Sequence, residues 1–159
     1  MLILPRGVTG FDVPKGQPTP DPEVFLGDCW HVAIASRGRV ADWPQVPVWL
    51  ATNFAACSLV FPDGEVTALL NLVHPWVGFC RPMKPGSGEL DFTEPGRVEA
   101  ALRELGRYRV LTQAELEQPV AVSMCVELGR GELAQFKYWA RAAGHVKLRV
   151  GDVVFNCWD

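Results

Sequence analysis

The groups best suited to chemistry in this chain are five cysteines, at positions 29, 57, 80, 125 and 157, and three histidines, His31, His74 and His145. A cysteine becomes a nucleophile when a nearby imidazole takes its proton or stabilises its thiolate. Cys29 and His31 are two apart in a segment that reads as helix, so their side chains leave the axis about 200° from one another. They do not form that pair. Cys80 with His74 or His145 is an arrangement that only the fold can assemble. It defines one reading of the chain, a small cysteine- and histidine-dependent hydrolase-like enzyme. The plainer reading makes each cysteine a small buried hydrophobe.

Metal and phosphate chemistry have less to work with. No two cysteines lie two to four residues apart, the spacing a local zinc site uses. The histidines lack His-x-x-x-His or His-x-Asp/Glu spacing, so a set built with Asp28 or Asp91 would have to converge in space. No metal and no cofactor are expected. Gly86-Ser87-Gly88 and Gly129-Arg130-Gly131 lack the Lys-Ser/Thr and the strand–loop–helix frame of a phosphate loop, and read as ordinary loops. The acids Glu94, Glu99 and Glu104 read as the solvated face of a helix.

Fifteen basic and 18 acidic residues leave a net charge of −3, and no run of Lys or Arg reaches three. A phosphate-tracking stripe is therefore absent, and nucleic acid is not an expected partner. No apolar run approaches the 18 residues of a membrane span. Met1 to Pro5 is too short and too soon interrupted for a signal peptide, so a cytoplasmic protein with free thiols is expected.

The elements that must position these groups come from periodicity and punctuation. Residues 1–20 read as an extended arm, with Leu2, Ile3, Leu4, Phe11 and Val13 packing along a single domain of residues 21–159. Asp21-Pro22-Glu23 starts a helix with the stripe Phe25, Cys29, Val32 and Ala33, stopped at Gly38. Ser58-Leu59-Val60-Phe61 and Val66-Thr67-Ala68-Leu69-Leu70 flank Pro62-Asp63-Gly64, a hairpin signature. A strand follows from Trp76 to Cys80, then a loop over residues 81–88 and a helix over 94–106. Tyr108 to Leu111 reads as a short strand, and Thr112 with Glu115 as a capping box. Alternation over 120–128 predicts a half-buried strand. Leu133, Phe136, Ala140 and Ala143 predict a helix ended by Gly144. Residues 146–150 and 152–158 read as strands around Gly151. Tyr138, Trp139, Phe155 and Trp158 are expected to knit that helix to the last strand. The order implies α+β: a largely antiparallel sheet with about three helices packed on it.

Six tryptophans and 13 prolines stand out against this thin chemical inventory. Trp43, Trp49 and Trp76 neighbour Pro44, Pro47 and Pro75, and Trp beside Pro makes rigid apolar surface of the kind that anchors an interface. Asp42, Asp63 and Glu65 supply an acidic rim to the same face. The alternative reading has the three rings closing the edge of the core.

The C-terminal stretch Phe136-Lys137-Tyr138-Trp139, with Gly151-Asp152-Val153-Val154-Phe155-Asn156-Cys157-Trp158-Asp159, resembles the ending of small bacterial proteins of toxin-immunity type. That resemblance implies a compact cytoplasmic domain that neutralises a cognate toxin by binding it. A charge of −3 is mild for a partner that is a basic nuclease. The resulting expectation is a non-enzymatic binding protein with a protein partner, its interface formed by Trp43, Trp49, Trp76, Asp42, Asp63 and Glu65. The alternatives are the hydrolase-like enzyme and a structural subunit or homodimer.

Overall fold

The structure, a computed structural model, describes residues 1–41, 51–84, 89–142 and 147–158. The first helix forms where its cap residues direct it. Asp21 accepts a hydrogen bond from the Glu23 amide at 2.8 Å, Pro22 takes the first helical position, and Pro22–Ala35 (α1) follows. Its end is a Schellman turn, in which Gly38 N–H donates to the Ala33 carbonyl at 2.7 Å and Arg37 N–H to that of Ile34 at 3.1 Å. Arg37, at φ +62°, takes the left-handed position. Gly38 is needed one residue later for another reason: a Cβ there would lie 2.4 Å from the Phe61 ring.

The sheet is built on a long hairpin. Phe54–Phe61 (β3) and Gly64–Asn71 (β4) pair antiparallel in unbroken register from Phe54↔Asn71 to Phe61↔Gly64, turning through Pro62 and Asp63. Arg39–Val40 (β1) pairs beside β3, Trp76–Cys80 (β5) beside β4, and Arg109–Val110 (β6) closes the far edge parallel to β5. The order is β1-β3-β4-β5-β6, with all but the last pairing antiparallel. Ala51–Thr52 (β2) pairs separately with Cys157–Trp158 (β7).

Both faces of this sheet are covered, so its strands alternate between two cores instead of between core and water. Cys57, Leu59, Ala68, Leu70, Val77 and Phe79 meet α1 and the helix Glu99–Glu104 (α2), which a 3₁₀ turn at Gly96–Val98 precedes. Phe54, Ala56, Leu69 and Cys80 face the opposite way. There they meet the N-terminal residues Leu2, Leu4 and Val8, the helix Gln113–Glu117 (α3) and the helix Val150–Val154 (α5). α3 begins with the reciprocal cap expected of Thr112 and Glu115: Glu115 N–H donates to the Thr112 hydroxyl at 3.1 Å, and Thr112 N–H to the Glu115 carboxylate at 2.8 Å. The fold is α+β, with five α-helices among the described residues where the sequence suggested about three.

Residues 1–20 contain no helix or strand, and polar groups fasten them. Glu132, fully buried on Arg130–Ala142 (α4), accepts from Gly7 N–H at 2.9 Å, Thr9 N–H at 3.3 Å, the Thr9 hydroxyl at 2.7 Å and Gly129 N–H at 2.8 Å. Asn53 and Asn71 each donate to both the Val8 and the Val154 carbonyls, at 2.7 to 3.0 Å. One cluster at the end of the central strands thus holds both the arm and the C-terminal segment. Phe11 and Val13 are expected to pack along the body, but both are exposed.

Three expectations fail. Residues 120–128 are not a strand; Val122–Cys125 is a 3₁₀ turn. Met124, Cys125 and Leu128 are buried while Val122 (90 % exposed) and Val126 (71 %) face out, which is a helical and not an alternating spacing. Residues 150–154 are helix α5 in place of strand. Its Gly151 divides nothing: a Cβ there would stand 2.2 Å from the Phe92 ring, so the glycine admits that contact. Tyr138 is exposed and does not knit α4 to the last strand. Ala143, Gly144 and Val146 lie outside the described residues.

Candidate partner interface

Of the residues expected to form an interface, Asp42, Trp43 and Trp49 lie outside the described residues, as does His145. Trp76 is a correction. It opens β5, is only 8 % exposed and belongs to the core. The Arg109 guanidinium lies 4.8 Å from its ring centroid, a cation–π lid over what would have been the exposed edge. Trp76 therefore offers no anchor at the surface.

Asp63 and Glu65 do share a surface. The eight-residue strands β3 and β4 carry them to the hairpin tip, where they line an open cleft of about 350 Å³ with Arg81, Thr93, Glu94 and Arg97. Arg97 reaches the Asp63 carboxylate, and its guanidinium lies 5.2 Å from the Phe61 ring centroid, which forms the apolar floor. Arg81 pairs with Asp91 at 2.8 Å. Glu65 has no ion pair among the described residues, so its charge faces water at the rim. These pairs are exposed and contribute little to stability, about 0–1 kcal/mol each. Their effect is to fix side-chain positions on a rigid tip. The basic partners Arg81 and Arg97 carry no sequence signal, because no spacing relates them to the hairpin.

A second surface comes from α1, which carries apolar residues on its outer side, beside the exposed Glu23 and His31, as well as on its buried side. Phe25, Cys29, Val32 and Ala33 are buried, yet Val24 (47 % exposed), Trp30 (47 %) and Ile34 (65 %) lie on the outer side. A helix of this kind normally has cover on both sides. The signal was present in the sequence as apolar residues opposite the buried stripe.

The groups suited to catalysis are dispersed. Cys80 is fully buried, and burial aided by the nearby Asp91 charge pushes its thiol up to about 12, so it carries no thiolate at neutral pH. It closes β5 while His74 precedes that strand, and the rise from Trp76 to Cys80 alone is about 13 Å. His74 Nε2 is 2.8 Å from the Arg6 carbonyl oxygen and helps hold the arm. Cys29 and Cys57 lie buried between α1 and β3, and their interaction, with burial, raises the Cys29 thiol well above its usual range. His31 is exposed on the far side of α1 from Cys29. Asp28, nearly buried, is held by Arg107 and by the Tyr108 hydroxyl, and the partial burial of Tyr108 itself, aided by the Asp28 charge, raises its phenol. Among the described residues, no three His, Cys, Asp or Glu side chains are grouped to hold a metal ion. No helix among them is long and apolar enough to cross a membrane.

No protein-family model, curated protein or solved structure matches this chain.

Proposed function

We propose that this chain is a non-enzymatic binding protein that neutralises a bacterial toxin by stoichiometric association, occluding the toxin's working surface. The observation that carries the reading is the hairpin-tip cleft, where Asp63 and Glu65 stand at the turn joining β3 and β4 beside the Phe61 ring. A projecting acidic rim with Glu65 unpaired suits a basic loop or helix on a protein partner, and it favours rapid encounter through charge attraction. The burial of Cys80 and its raised thiol weigh against a Cys80-centred hydrolase. The C-terminal resemblance to toxin-immunity proteins supplies the kind of partner.

The test uses the intact tagged chain as bait in cells of its source. A single partner recovered at equal stoichiometry is expected. Expressed alone that partner should arrest growth, and co-expression of this chain should relieve the arrest. Recovery of a partner whose expression is harmless, or relief that needs no complex, contradicts the proposal.

A further inference from the structure

The outer face of α1 is self-complementary, and we infer that it joins two copies of this chain in an antiparallel helix pair. Along that face the order is Glu23, Val24, Gly27, Trp30, His31 and Ile34, followed by Arg37 just beyond the C-cap. These helical residues fall within one half of the circumference, opposite Phe25, Cys29, Val32 and Ala33. The face is acidic at one end and basic at the other, and between them it is apolar apart from the exposed His31. Neither Glu23 nor Arg37 has an ion pair among the described residues.

A two-fold axis near position 29 brings these features into register. Val24 of one copy then lies level with Ile34 of the other, and Gly27 level with His31, with Trp30 one residue away. Glu23 lies about 9 Å along the axis from that centre and Arg37 about 12 Å on the other side, so long side chains span the difference. Both charge pairs form at once, because the symmetry repeats them. Parallel pairing would set Glu23 against Glu23 and lose this match. Gly27 has no heavy atom within 4 Å of where a Cβ would stand, so it leaves a notch in the face. The partner's Trp30 is the knob that fits it, and a half-exposed Trp at the centre of a small patch is the usual form of an anchor.

Size sets the strength. A 14-residue helix is about 21 Å long and, with side chains, about 10 Å wide. That footprint falls well short of the roughly 800 Å² per partner of a stable interface. The pairing is therefore a weak, concentration-dependent dimer. It uses Val24, Gly27, Trp30 and Ile34, none of which the toxin-binding reading requires.

Sedimentation velocity of the intact chain, from low micromolar to near-millimolar concentration, tests the inference. The mean mass should rise from one chain towards two. Ile34→Glu should abolish that rise. Glu23→Arg and Arg37→Glu should each weaken association at least threefold, and the double charge swap should restore it. Gly27→Leu, whose Cβ meets no atom in the single chain, should not lower thermal stability and should lower association at least tenfold. A wild-type chain that stays monomeric throughout overturns the inference, as does an Ile34→Glu chain that associates like wild type. It is also overturned if Ile34→Glu abolishes toxin capture while the wild type shows no self-association, since the face then belongs to the other partner. Retained dimerisation with failed toxin neutralisation would sink only the functional reading.

Discussion

Glu132 on α4 accepts a 2.7 Å hydrogen bond from the hydroxyl of Thr9, a residue 123 positions earlier in the chain. The same carboxylate takes three backbone amides, so one buried side chain fastens the N-terminal arm to the last long helix. No neighbouring cation neutralises it among the described residues; four donors do that work.

Glu132→Ala leaves those donors buried without an acceptor and should cost about 3 kcal/mol of stability. Glu132→Gln keeps one oxygen but turns an amide group towards a donor, and should cost about 1–2 kcal/mol. Thr9→Val removes the bond to the charged Glu132 and the 3.2 Å bond the Thr9 hydroxyl accepts from Phe11 N–H, and should cost about 2 kcal/mol. Urea unfolding with an unchanged m-value checks the order. Equal stability of the Ala variant and wild type would mean that the arm is held by its apolar residues alone.

Two glycines should respond in opposite directions. Gly27 faces open space on a helix, and Gly27→Ala should stabilise by about 0.5–1 kcal/mol through helix propensity. Gly151→Ala places its methyl on the Phe92 ring and should destabilise by about 1–3 kcal/mol. Thermal melts decide both. A stabilised Gly151→Ala would show that α5 does not pack as closely on Phe92 as the structure has it.

Alkaline pH should unfold this protein earlier than neutral pH does. Cys80 is held at about 12 in the folded chain, against an ordinary value of 9.0. Below about pH 9 the thiol is protonated in both states, and its contribution to stability is fully present. Between about 9 and 12 only the unfolded chain releases the proton, so stability falls by about 1.4 kcal/mol per pH unit from this group. The raised Tyr108 phenol acts in the same direction. Cys80→Ala should flatten the slope of unfolding free energy against pH over that range, whatever its own cost at pH 7. An unchanged slope would mean that other groups set the alkaline limit.

The parts of the fold that local chemistry dictates could be read from the sequence. Asp21-Pro22 as a helix start, Thr112 with Glu115 as a cap, and Pro62-Asp63 as a hairpin turn each rest on bonds within a few residues. The failures are places where distant partners decide. Residues 120–128 alternate well enough for a strand, but among the described residues only Val120 makes a strand-like bond, to Leu148, and Met124 gives its carbonyl to Leu4 of the arm. Gly151 looks like a break between strands until Phe92, far back in the chain, is laid across it. Trp76 looks like a surface ring for the same reason, since Arg109 covers it from another element. At the candidate interface only Asp63 and Glu65 could be read, because the turn that presents them is local. Arg97, which completes the cleft with Asp63, comes from a segment 34 residues away.

The most direct test of partner binding at the hairpin tip is calorimetric titration of the captured partner with wild type and with Asp63→Lys/Glu65→Lys. Both positions are exposed at a turn, so losing the Arg97 pair and placing a like charge beside it should cost the double variant only about 1 kcal/mol and leave it folded. The account predicts one-to-one binding by the wild type and a loss of at least tenfold in affinity in the variant, with the wild-type affinity weakening as salt rises. Full-strength binding by a folded double variant would contradict it.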